Sequence, residues 1–138
     1  MYVTYKPEGS PEQRWEFDPS RVRSMEAELI EKRYGKSWDQ FRGDVQSGSM
    51  KARRVLLWHL LRRDHHTLRF EDVPDFYAGE FLVEHSVDEL AAIKDKLLKA
   101  DLPDDDRQQM LTAIDMEIAE AVARGEVGGG KAIASSDA

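Results

Sequence analysis

The stretch Ser49-Met50-Lys51-Ala52-Arg53-Arg54-Val55-Leu56-Leu57-Trp58-His59-Leu60-Leu61-Arg62-Arg63 decides the fold class. Ser49 has the side chain of a helix N-cap. Behind it, Met50, Ala52, Val55, Leu56, Leu57, Leu60 and Leu61 cover more than one narrow stripe, with Trp58 beside them. That spread predicts a central core helix touched on several sides. Its ends are basic, with Lys51, Arg53 and Arg54 first and Arg62 and Arg63 last. The last two suit the negative end of a helix dipole. His59 interrupts the apolar run, and Arg54 and Arg62 bound it. It is far shorter than the roughly 20 apolar residues of a membrane-spanning helix.

Toward the N-terminus, Ser37-Trp38-Asp39-Gln40 has the capping-box pattern and opens a short helix carrying Trp38, Phe41 and Val45. Gly48 stops it. Upstream, Asp18-Pro19 is expected to open the first helix, with Ser24 as a second start. Val22, Met25, Leu29 and Ile30 are read as its inward face, and Gly35 as its C-cap. Tyr2-Val3-Thr4-Tyr5 suits a strand, Pro7, Gly9, Ser10 and Pro11 make a turn, and residues 13–17 alternate polar with aromatic. This predicts a β-hairpin that must pack on something, because an isolated hairpin is marginal.

Toward the C-terminus, His65-His66-Thr67 breaks the helical pattern. Leu68, Phe70, Val73, Phe76 and Tyr77 anchor a connector through Pro74. Residues 81–83 suit either an extended segment or a helical turn. Ser86-Val87-Asp88-Glu89 is a second capping box, opening a helix with Leu90, Ile93, Leu97 and Leu98. Leu102-Pro103 breaks it. Asp104, Asp105 and Asp106 then occupy the first turn of a final helix, where anions are favoured. Met110, Leu111, Ile114, Ile118, Ala121 and Val122 keep its amphipathic period, and Gly125 closes it. The expected fold is mainly α, with about five helices. Its divisions are a β-hairpin at 1–17, a helical domain at 18–126 and a flexible Gly/Ala/Ser tail at 127–138.

The chain has 138 residues, 41% hydrophobic and 34% charged, with net charge −7. One core of that length fits a single domain, and the apolar share argues against a wholly disordered chain. Cys is absent, which excludes a disulfide scaffold, a thiol nucleophile, an iron–sulfur cluster and a thiolate zinc site. The first residues lack the apolar region of a signal peptide, so the expected location is the cytosol.

Signals for catalysis are weak. His59, His65, His66 and His85 do not match His-Glu-x-x-His spacing. The triple Asp lacks the spaced ligands of a calcium loop. Ser47-Gly48-Ser49 has the wrong order for a nucleophile elbow, and Gly128-Gly129-Gly130-Lys131 lacks the remaining features of a phosphate loop. No catalytic residue, metal or cofactor is therefore expected. The basic rim of Lys51, Arg53, Arg54, Arg62 and Arg63 is the best nucleic-acid candidate. The acidic surroundings oppose that reading, since phosphate binding needs a net positive face.

Three segments go beyond generic helix. They are Ala27-Glu28-Leu29-Ile30-Glu31-Lys32-Arg33-Tyr34-Gly35-Lys36-Ser37-Trp38-Asp39-Gln40-Phe41, then residues 55–63, then Thr67-Leu68-Arg69-Phe70-Glu71-Asp72-Val73. In order and spacing they resemble tail assembly chaperones of long-tailed (siphovirus-type) bacteriophages, particularly those of actinobacteria. The resemblance covers about residues 25–75. It implies a small helical protein that binds the tape measure protein, keeps its helices soluble and helps recruit tail tube subunits. It further implies action in the host cytoplasm and absence from the mature virion. The family often makes a longer product by a programmed frameshift, and Gly130-Lys131 can be encoded by a suitable run of G then A.

The residues themselves suit protein binding through apolar anchors at helical spacing. Met25, Met50, Met110 and Met116 would give an adaptable surface. Residues 110–122 are the expected partner surface, through Met110, Ile114, Ile118 and Val122, because a terminal helix has fewer neighbours to cover it. Asp at Ile114 and Ile118 is expected to abolish binding without unfolding the rest. The alternative readings are a virion structural protein of the tail or head–tail connector and, behind it, a small nucleic-acid-binding regulator. Self-association is expected for the chaperone and for the virion structural protein. Charge is uneven: residues 51–64 carry five basic and one acidic residue, a net +4, whereas residues 101–126 carry eight acidic and two basic, a net −6. Such asymmetry favours ordered self-association or a basic client.

Overall fold

The central helix forms as its composition demands. In the computed structural model, which describes residues 1–125, α3 (Met50–Leu61) starts where Ser49 Oγ accepts the Ala52 N–H at 3.2 Å. Ala52, Val55, Leu56, Leu57, Trp58 and Leu60 are all buried. Burying each large aliphatic of this set stabilises by about 1.5–3 kcal/mol. The order of the remaining elements is β1 (Tyr2–Tyr5), β2 (Gln13–Glu16), α1 (Ser24–Tyr34), α2 (Trp38–Ser47), β3 (Phe81–Glu84), α4 (Val87–Lys99) and α5 (Asp104–Ala123). The described residues are thus mainly helical, with five α-helices and a short antiparallel sheet. The expected tail at 127–138, with Gly130-Lys131 where the frameshift is expected, lies outside the described residues.

The described residues divide into two compact units, one of Val3–Val83 and one of Met1–Tyr2 with residues 84–125. In the larger unit α1 and α2 pack on α3 and on each other. Gly35 (φ 85°) and Gly48 (φ 96°) end α1 and α2 in the left-handed conformation that glycine takes without steric cost. Ile30, Tyr34, Phe41 and Val45 supply their buried contacts. The expected hairpin is present, and β3 extends it to a sheet of order β2-β1-β3. Phe81 is buried and Leu82 half exposed, which is strand alternation and not a helical turn.

Three local expectations need correction. Asp18 does cap, accepting the Ser20 N–H at 3.0 Å, but only over a single 3₁₀ turn at Pro19–Arg21. Val22 is extended, so the first α-helix begins at Ser24. Its inward line is Ala27, Ile30 and Tyr34, with Met25 and Leu29 exposed. At 100° per residue those two lie about half a turn from that line. Finally, only one arm of the Ser37 capping box forms. Ser37 Oγ accepts the Gln40 N–H, while the Gln40 amide reaches forward to Asp44 at 2.8 Å.

In the smaller unit, α4 and α5 pack side by side. Both arms of the Ser86–Glu89 capping box are made, at 3.2 and 2.8 Å, and start α4. Pro103 precedes α5, whose first turn carries the three Asp residues. Arg107 closes the turn between the helices by donating to Leu97 O at 3.4 Å and Ala100 O at 2.6 Å. Each carbonyl also accepts a backbone N–H, Leu97 O from Ala100 at 3.4 Å and Ala100 O from Leu102 at 3.1 Å, so Arg107 adds a charged second donor to each.

Candidate protein-docking site

Helix α5 is 20 residues long, yet among them only Ala121 is buried. Most helical stability in proteins comes from packing an apolar face, and a helix of this length normally buries more of it. Leu111, Ile114 and Ile118 are half-buried and line up with Ala121 at spacings of three and four. That line is the seam of the α4–α5 pair, opposite a face of α4 that contains Leu90, Ile93 and Leu97. Met110 flanks it on one side at 44% exposure and Val122 on the other at 52%. On the 100° wheel Met116 falls on the opposite face and is 62% exposed. On α4, Leu98 lies off the seam and is 55% exposed.

The four residues expected to bind a partner therefore separate into two kinds. Ile114 and Ile118 hold the helix pair together. Met110 and Val122 are the ones whose apolar surface stays open to a partner. Aspartate at Ile114 and Ile118 would attack the seam itself, so it does not separate docking from folding. Polar contacts frame the pair: Lys94 Nζ to Asp115 Oδ1 at 2.7 Å, and Arg124 to Glu84 at 3.2 Å. With Asp104, Asp105 and Asp106 at its start, this surface combines exposed apolar groups with acidic charge.

The basic rim is not a uniform surface. Arg53 Nε donates to Val45 O at 3.1 Å and its Nη1 reaches Phe81 O at 3.5 Å. Burial lowers the pKa of its guanidinium. Arg54 donates to Val73 O, Arg62 to His66 O and Arg63 to Glu16 O. Arg62 also sits 4.9 Å from the centroid of the Trp58 ring. Four of the five rim cations thus tie loops and strands to α3. Lys51 is exposed, 5.5 Å from the Tyr34 ring centroid. This division is invisible in the sequence, because an Arg that satisfies a carbonyl and one that faces water have the same helical spacing. No three His, Asp or Glu side chains gather as a metal site among the described residues. No described helix is long and apolar enough to cross a membrane.

Comparison with family models, with curated proteins and with solved structures finds no match to this chain.

Proposed function

We propose that this chain is a tail assembly chaperone of a long-tailed phage, acting by binding and not by catalysis. Its client is the tape measure protein, and the complex helps recruit tail tube subunits. Two things support the reading. One is the resemblance across residues 25–75. The other, which carries it, is the apolar surface that α5 leaves open: a 20-residue helix with one buried residue exposes Met110 on one side of its seam and Val122 on the other to an apolar client. Met110 adapts to varied partners because its unbranched side chain repacks easily.

The experiment is a pull-down of a candidate tape measure protein, sought among the genes that flank this one, using wild-type chain and a Met110→Asp/Val122→Asp variant. Capture by the wild type and loss in the variant supports the proposal. Equal capture by both contradicts the placement on α5, and capture by neither contradicts the function. Mass spectrometry of purified virions separates the alternative, since a tail or head–tail connector subunit would be present in the particles.

A further inference from the structure

A cleft of about 500 Å³ lies in the larger unit, lined by three cations (Arg33, Lys51 and Arg54) and by Phe70, Phe76 and Met50. Asp75 adds the single carboxylate. This is the size of a small-ligand or side-chain pocket, with apolar walls and a few convergent polar groups. The Arg33 and Arg54 guanidinium carbons each lie 4.7 Å from the centroid of the Phe70 ring. Two like charges drawn to one ring repel each other, and an anion bound in the cleft they line offsets that repulsion. Arg33 has a loose partner in Glu71, at 3.6 Å with both side chains largely in water. Lys51 makes no ion pair among the described residues. Arg54 Nε is buried without a hydrogen-bond partner.

We propose that this cleft binds an acidic side chain flanked by an apolar one on a partner polypeptide. Arg33 offers a planar fork that matches a carboxylate, and Lys51 adds a mobile point charge. Phe70, Phe76 and the exposed thioether of Met50 take the neighbouring apolar group. Nucleic acid fits less well. A polyanion needs an extended basic track, but Arg53, Arg62 and Arg63 are engaged on backbone carbonyls, and the whole chain carries −7.

The test uses the full chain and a fluorescein-labelled peptide with an Asp-Phe-Asp core, read by anisotropy at low and at physiological ionic strength. Asn-Phe-Asn and Asp-Ser-Asp peptides are the controls, and a single-stranded DNA oligonucleotide is the competitor. The expected result is saturable binding of Asp-Phe-Asp that both controls lose and that salt weakens. An Arg33→Gln/Lys51→Gln variant should bind about tenfold or more weakly. Both side chains face solvent, so circular dichroism should show the variant folded. If it does not fold, the Asn-Phe-Asn comparison on the wild type still decides. Absence of saturation, equal binding of Asn-Phe-Asn or undiminished binding by the folded variant would overturn the proposal. Tighter binding of the oligonucleotide at these residues would replace it with nucleic-acid recognition.

Discussion

Lys94 on α4 and Asp115 on α5 meet at 2.7 Å, one residue beyond Ile114 in the seam. The ion pair borders the contact that holds the two helices, with both side chains partly in water. An exposed pair of this kind contributes about 0–1 kcal/mol. Apolar packing along Leu111, Ile114, Ile118 and Ala121 must supply most of the rest.

Ile118→Asp should therefore loosen the α4–α5 pair far more than Lys94→Ala. The first places a charge in a half-buried apolar seam; the second stays within about 1 kcal/mol. Amide hydrogen exchange across residues 87–123 reads the difference. Equal protection in the two variants would show that the seam contributes little.

Arg53→Ala should lower stability by about 1–3 kcal/mol, because it removes charged donors from Val45 O and Phe81 O. Lys51→Ala, at an exposed side chain, should stay within about 0.5 kcal/mol. Urea unfolding of both variants checks this. A small effect at Arg53 would mean that water replaces the guanidinium at those carbonyls.

His59 gives stability a pH dependence. Its ring packs edge-on to Phe17 at 5.8 Å, and its side chain is 12% exposed. Burial lowers its pKa below the ordinary 6.5, only partly opposed by Glu26 and reinforced by Arg63 and Arg62. Below pH 6.5 the unfolded chain takes up a proton that the folded chain refuses. Stability should thus be fully present above that pH and fall as pH drops toward the folded pKa. Urea midpoints of wild type and His59→Asn across that window should converge or cross. Parallel curves would contradict the assignment.

Gly48→Ala should destabilise by about 1–2 kcal/mol, because alanine pays for the left-handed backbone that ends α2. Thermal melts read it. An unchanged midpoint would mean that the turn relaxes to another conformation.

What could be read from the sequence follows the range of the interactions. Gly35, Gly48, Ser49 and Ser86 were legible because a cap is chemistry within four residues. The core role of Ala52, Val55, Leu56, Leu57, Trp58 and Leu60 was legible because these apolar side chains spread round more than one narrow stripe of α3. Asp18-Pro19 misled because the same two residues start a 3₁₀ turn as readily as an α-helix. Met25 and Leu29 misled because composition does not say which side of α1 meets α3. The third strand depends on pairing Phe81–Glu84 with a segment some eighty residues earlier, which no local pattern encodes. At the docking site, the helical period grouped Met110, Ile114, Ile118 and Val122. Which of them the neighbouring helix covers is a property of packing. The Arg33–Phe70–Arg54 arrangement arises in the same way, from three residues distant in sequence.

The most direct test of the chaperone reading is co-expression with a candidate tape measure protein sought among the genes that flank this one, scored by how much of that protein stays in the soluble fraction. The account predicts a soluble tape measure protein with the wild-type chain and an insoluble one with Met110→Asp/Val122→Asp, although the variant itself folds and stays soluble. A tape measure protein that is equally soluble with the wild type, with the variant and alone would contradict it.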